Sequence, residues 1–237
     1  MTIKVVIPAF DEARWLPCTL EHLDAARRAC PVAVDVVVVD NASRDDTAAV
    51  ARRSGALVVR EDVHNIARVR NAGARAARGD VLVFVDADTI VPTEFLRRVA
   101  EEMAGPDCVG GAADAEYAPS SSVVGLYLAY WRLLGRALGM AQGPGQFCRR
   151  DIFAELGGYD DRQYMGEDVD FFWRLARLAR RTGRRVAFLR DVRVVPSPRR
   201  FDRWPLWRTL VWTNPVVIAI LRRRQGAWAA WYSEPVR

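Results

Sequence analysis

Short apolar runs alternate with amphipathic stretches along the first hundred residues. Residues 4–7, with the apolar run VVI, predict a short buried strand followed by Pro8, and residues 16–28 form a helical stretch. Residues 34–39 are an almost unbroken β-branched run, which predicts a strand covered on both faces. Ser43 and Asp46 have capping-box-like spacing, with Asp in place of the usual Glu or Gln, before a helix that stops near Gly55. Strands are predicted at 57–59 and 81–85, and between them an alanine- and arginine-rich helix over 68–77, ended by Gly79. Repeated β–α alternation predicts an α/β fold with a parallel sheet, helices on both faces and ligands beyond the carboxyl ends of the strands.

Beyond about residue 105 the pattern loosens. A helix rich in Leu, Tyr and Trp is predicted over 122–138, then a glycine-rich loop over 139–145. Helices over 151–156 and 168–181 follow, separated by the stop Gly157-Gly158, then short strands at 186–189 and 192–195. The expected organisation is one catalytic domain over 1–200, with a nucleotide-binding half (1–105) and an acceptor half (106–200), and an amphipathic tail over 201–237. Within the tail, residues 204–221 are apolar and aromatic, with Arg203 before them and arginines at 222–224 after them. Arg208, Asn214 and Pro215 interrupt the stretch and argue against a membrane span. A segment lying on a membrane through 204–224 is one reading; a helix packed on the domain or in a homodimer interface is the other.

Composition adds little until charge is considered. The 237 residues are 51% apolar and 27% charged, the profile of a folded globular protein. The net charge of +6 is concentrated toward the C-terminal half, which suits nucleic acid, anionic lipid or a phosphorylated substrate without choosing among them. Cys18, Cys30, Cys108 and Cys148 are scattered, which suggests reduced thiols in a cytoplasmic protein rather than a disulfide framework or a zinc site. With His22 and His64 as the only histidines, most His-based metal and triad chemistry is excluded. The first residues run straight into a strand, so no secretory signal is expected.

Three aspartates fall at predicted strand ends: Asp40, Asp86 and Asp88. One aspartate after a strand is ordinarily a turn former or helix cap. The triplet Asp86-Ala87-Asp88 is different, because two carboxylates at a strand's mouth repel unless a cation or donors lie between them. Such oxygen donors suit Mg²⁺ or Mn²⁺ bridging to a diphosphate. The loop after the first strand reads Pro8-Ala9-Phe10-Asp11-Glu12, which is neither a dinucleotide fingerprint nor a phosphate loop.

The segments VVIPAFDE, VVVVDNASRDDT, ARVRNAGARAARGDVLVFVDADT and GGYDDRQYMGEDVDFFWRL together resemble family 2 glycosyltransferases of the GT-A fold, over roughly residues 3–200. The resemblance implies a Rossmann-like, mixed but mainly parallel sheet flanked by helices, and an inverting, metal-assisted hexosyltransferase-like enzyme. It also implies that Pro8, Ala9 and Glu12 line the nucleotide pocket and that Asp40 contacts the base or ribose. Arg68, Arg70 and Asn71 would lie near base and phosphates, and Asp86 and Asp88 would form the D-x-D metal pair around Ala87. Glu167-Asp168 matches the family's E-D element, whose aspartate takes the acceptor's proton, and the loop Gly143–Gln146, Gly145 included, would shape the pocket.

One departure concerns the histidine that many metal-dependent members supply from the C-terminal region, which this chain lacks. It has Ser197-Pro198-Arg199-Arg200-Phe201 instead, in which Arg199 and Arg200 read either as diphosphate ligands or as a solvated basic loop. The implied donor is a nucleoside-diphosphate sugar, UDP-linked before GDP-linked. The tail leans toward a lipid-linked acceptor at the inner face of the cell membrane. A nucleotidyltransferase is the nearest enzymatic rival, and a basic lipid- or nucleic-acid-binding module the rival from another class. Carboxylates at the strand ends would repel a phosphate backbone, so no nucleic-acid partner is expected.

Overall fold

The structure is a computed structural model and describes residues 1–228. Its first third runs β1 (Thr2–Ala9), α1 (Leu16–Arg28), β2 (Ala33–Asp40), α2 (Thr47–Arg53), β3 (Leu57–Arg60), α3 (Ile66–Ala76) and β4 (Val81–Phe84). A short β5 (Thr89–Ile90), α4 (Phe95–Ala104), β6 (Cys108–Ala115), α5 (Ser122–Ala137), β7 (Gln146–Arg149) and α6 (Arg150–Glu155) follow. The chain continues through α7 (Glu167–Arg181), β8 (Arg185–Pro196), α8 (Arg199–Arg203), α9 (Leu206–Trp212) and α10 (Pro215–Leu221). All eight strands form one sheet in the order β3-β2-β1-β4-β7-β6-β8-β5. The four strands β1–β4 are parallel, and β7 is inserted antiparallel between β4 and β6.

The apolar run of β2 behaves as a strand buried on both sides should. Val38 joins β1 residues Ile3, Val5 and Ile7 in a core completed by α1 (Leu16, Leu20, Leu23) and α4 (Phe95, Leu96, Val99). Val37 and Val39 point the other way, into a core with Val6, Phe84 and the helices α3, α6 and α7. Helix α3 sits so close to the sheet that a Cβ on Gly73 would stand 2.3 Å from Val6 Cγ1 and 2.8 Å from Val39 Cγ2.

Several local expectations are corrected. Ser43 and Asp46 form no capping box: Asp46 makes no side-chain cap bond, and Ser43 Oγ accepts the Asp11 N–H at 3.0 Å. Asp45 serves α2 instead, accepting the Thr47 N–H at 3.0 Å. Helix α3 starts earlier than expected because Asn65 caps it, accepting the Arg68 N–H at 3.0 Å. The two strands expected at 186–189 and 192–195 are one strand, β8, whose register against β6 jumps from Ala113↔Leu189 to Asp114↔Arg193. Asn214 accepts the Val216 N–H and caps α10, which breaks the apolar stretch of the tail into two seven-residue helices. Among the described residues, no helix is long and apolar enough to cross a membrane. The end of the expected tail, 229–237, lies outside the described residues.

Candidate active site

The carboxyl ends of β1, β2 and β4 open into a cavity of about 560 Å³. Its floor is tied together by short polar links. Asp11, in left-handed backbone with φ 52° just after β1, accepts the Arg44 N–H at 2.7 Å. Glu12 N–H donates to Thr47 Oγ1 at 2.8 Å. Asn41, the first residue beyond β2, donates its amide to the carbonyls of Glu61 and Val63 at 2.7 and 2.9 Å. Left-handed backbone at a non-glycine is costly and persists where surrounding bonds hold it.

Two arginines, Arg70 buried and Arg199 half-buried, organise the acidic groups. Arg70 projects from α3, donating from Nη2 to Asp86 Oδ1 at 2.9 Å and from Nη1 to Glu167 Oε1 at 2.6 Å. It therefore joins the end of β4 to the start of α7. The Tyr159 ring lies 5.5 Å from its guanidinium carbon. Arg199 does the same on the other side, pairing with Glu12 and lying 3.2 Å from Asp88 Oδ2. The chain brings Arg199 here through the short β5–β8 pairing, Thr89↔Pro196, after which Ser197 N–H donates to the Asp88 carbonyl at 3.0 Å.

Burial dominates the electrostatics. It pushes Glu12 up to about 7 against the opposing Arg199, and Asp88 up to about 6 against Arg199 with the Asp86 charge adding to it. Glu167 is pushed up to about 7 by burial and by its neighbour Asp168, against Arg70. Asp168 is also raised by burial, while Arg70 and backbone N–H donors oppose the shift. Burial lowers Arg200 to about 10. Asp168 stands in the first turn of α7, behind Gly166 at the N-cap. Its Oδ2 accepts the Gly143 N–H at 2.6 Å and its Oδ1 the Val169 N–H at 2.8 Å. Gln146 supports the same turn, donating from Nε2 to the Asp168 carbonyl at 3.0 Å while its Oε1 accepts the Tyr159 hydroxyl at 2.9 Å.

Of the residues singled out in the sequence, Pro8, Ala9, Glu12, Arg70, Asp86, Ala87, Asp88, Glu167, Asp168, Arg199 and Arg200 face this one cavity. Asp40, Arg68, Asn71 and Gly145 do not line it. The Asp40 carboxylate accepts the Ser43 N–H, and the half-buried Arg68 lies 3.5 Å from Glu61. Asn71 spends its side chain on both backbone groups of Tyr159. Gly145 bonds the Phe84 carbonyl and the Ala113 N–H, inside the sheet. The sequence reading passed over Asn41 and Tyr117, which do line the cavity. Asn41 is adjacent to the chosen Asp40, and a turn residue directly after a strand was the available signal. Burial and the charges of Asp86, Asp88 and Asp168 raise Tyr117 well above its ordinary range; no sequence signal marked it. Among the described residues, no three His, Cys, Asp or Glu side chains gather as a metal site.

Residues 4–157 match the family model described as Glycosyl transferase family 2. An uncharacterized glycosyltransferase of Mycobacterium tuberculosis is 32% identical over 166 residues, 68% of this chain and 73% of that protein. An undecaprenyl-phosphate 4-deoxy-4-formamido-L-arabinose transferase of Pseudomonas paraeruginosa is 37% identical over 125 residues, 47% of this chain but only 35% of the relative. In fold, the chain is similar to the mannosyltransferase PcManGT from Pyrobaculum calidifontis in complex with GDP-Man and Mn²⁺. That likeness has a TM-score of 0.60 at 24% identity and covers 81% of this chain and 56% of that one.

Proposed function

The chain belongs to glycosyl transferase family 2 and is a glycosyltransferase of GT-A fold, and we propose that it moves a sugar from a nucleoside diphosphate to an acceptor hydroxyl with inversion. The observation that carries this reading is the convergence of Asp86, Asp88 and Asp168 on one cavity, with Arg70 linking Asp86 to Glu167.

Asp86 and Asp88 fit a divalent cation. Each carboxylate gives one oxygen to an arginine, Asp86 to Arg70 and Asp88 to Arg199, and keeps a second. The raised Asp88 belongs to a half-buried, like-charged pair that a cation relieves. Two carboxylates suffice for Mg²⁺ or Mn²⁺, which commonly take their remaining ligands from substrate phosphates and water. When bound, the cation supplies positive charge to the departing diphosphate. The similar mannosyltransferase structure carries Mn²⁺ and GDP-Man.

Asp168 takes the acceptor's proton as the hydroxyl oxygen bonds to the anomeric carbon and the bond to the diphosphate breaks. Its carboxylate is held for this by the Gly143 and Val169 N–H groups. Attack on the face opposite the leaving group inverts the anomeric centre, and the products are the glycoside and the nucleoside diphosphate. Arg199 and Arg200 bind the diphosphate, and Arg70 positions Asp86 and the start of α7. The donor is a UDP-sugar before a GDP-sugar. The printed name of the Pseudomonas relative supports a lipid-linked acceptor. With that acceptor goes a cytoplasmic enzyme that touches the inner face of a membrane through 204–224.

A thermal-shift panel of UDP, GDP, CDP and dTDP, each with and without Mn²⁺, tests the reading on wild type and on Asp86→Ala/Asp88→Ala. One nucleotide should raise the melting temperature in a Mn²⁺-dependent way, by an amount equivalent to about 2.7 kcal/mol at a hundredfold excess over Kd. The double variant should lose that shift. No shift with any nucleotide would overturn the proposal.

A further inference from the structure

Helix α5 carries apolar side chains outward. Val123, Leu126, Tyr130 and Leu133 follow one another at helical spacing along one stripe; Leu126 is 76% exposed and Leu133 67%. Val124 is the helix's one buried residue. Helices α9 and α10 continue the surface with Trp207, 63% exposed, and Ile220, 70% exposed. Tyr127 fastens the two parts together: its hydroxyl donates to the Leu210 carbonyl at 3.2 Å and lies 3.1 Å from Thr213 Oγ1. A continuous apolar surface of this kind marks an interaction site.

The helices themselves carry charge of one sign, although Asp114 and Glu116 pair with Arg132 and Arg136 of α5, and Asp160 pairs with Arg223. Neither 117–150 nor 203–228 contains an acidic residue, and the second stretch holds Arg203, Arg208, Arg222, Arg223 and Arg224. The same helices wall the active site, since Leu128 and Trp131 of α5, Trp212 of α9 and Ile218 of α10 line the cavity.

We propose that the outer faces of α5, α9 and α10 form one surface that docks on an anionic lipid bilayer, with the acceptor side of the cavity opening at the lipid. This rests in part on the membrane contact already assigned to 204–224 and extends it to a helix eighty residues earlier in the chain. A second copy of the chain fits the surface poorly. In a two-fold dimer the patch would meet itself, setting one arginine rim against another. Anionic headgroups complement that rim, and Trp and Tyr suit the interface between headgroup and hydrocarbon.

The test is co-sedimentation of the full chain with phosphatidylcholine vesicles, with and without phosphatidylglycerol. Wild type should bind the anionic vesicles, and less at high salt. Leu126→Glu/Leu133→Glu should weaken that binding about tenfold or more, because two apolar anchors are lost and two negative charges gained. Both side chains are exposed, so the melting temperature and any nucleotide-induced shift should stay as in wild type; Leu126→Ser gives a milder second variant. Wild-type-like binding by both α5 variants, with loss only in Trp207→Glu, would overturn the role of α5 and leave the tail reading standing. A wild-type dimer that the double variant turns into a monomer would overturn the proposal in favour of a protein interface. Vesicle binding needs no donor nucleotide, so its failure is separate from failure of the glycosyltransferase reading.

Discussion

A Cβ on Gly143 would stand 2.3 Å from Nη2 of Arg70, the nitrogen that holds Asp86. Its neighbours there are the guanidinium atoms, and the guanidinium is fixed at both ends by Asp86 and Glu167. Gly143→Ala must therefore move either Arg70 or the loop whose N–H holds Asp168. A displacement of this size in a positioned catalytic group costs about a hundredfold in kcat. Steady-state kinetics on the folded variant would show it, and an unchanged kcat would mean that this contact does not position the site.

Asp168→Asn keeps the shape of the side chain and removes its ability to take a proton. The kcat should fall by roughly 10² to 10⁴, while binding of the donor nucleotide, read by thermal shift, stays near wild type. Loss of nucleotide binding along with turnover would assign the residue to the donor pocket instead.

Stability should fall as pH rises through the range in which Glu12 and Glu167 titrate. Burial holds each near 7 in the folded chain against 4.5 for a free side chain. Between those limits the folded state binds the extra proton, so each unit of rising pH costs at most about 1.4 kcal/mol per group. Glu167→Gln should flatten the slope of unfolding free energy between about pH 5 and 7, because one of the groups titrating there, which include Glu12 and Asp88, is gone. Denaturant melts across that range would check it. An unchanged slope would mean that Glu167 does not stay protonated on folding.

The nucleotide half was more legible than the acceptor half for a physical reason. Strands β1, β2 and β4 are dense in Val, Ile and Leu because helices cover both faces, and such runs stand out in a sequence. Strand β6 reads CVGGAADA, and residues of that kind are depleted in strands. The fold demands them there: a Cβ on Gly111 would meet the Ala187 carbonyl oxygen at 2.1 Å, so β8 closes tightly over that position. The Asp86-Ala87-Asp88 pair and Glu167-Asp168 could be chosen individually from the chain. Their connection through Arg70 could not, because the ion pair to Glu167 spans ninety-seven residues and depends on α3 and α7 covering the same face. The stripe of α5 was visible as that of an amphipathic helix, but periodicity alone does not say whether such a stripe faces a core or a lipid.

Gly73 and Gly55 should separate the cost of lost space from the cost of backbone strain. Gly73 lies within α3, where a Cβ would meet Val6 Cγ1 at 2.3 Å. Gly55 has φ +79°, yet nothing lies within 4 Å of where its Cβ would be. Gly73→Ala gains about 0.5–1 kcal/mol in helix propensity but forces α3 off the sheet, for a net loss of about 1–3 kcal/mol. Gly55→Ala pays only the left-handed backbone, about 1–2 kcal/mol, with no packing change. The two differ most clearly in a second measurement. Because α3 carries Arg70, Gly73→Ala should also weaken the nucleotide-induced thermal shift, whereas Gly55→Ala should leave it intact. Equal shifts in both variants would mean that the seating of α3 on β1 and β2 does not set the position of Arg70.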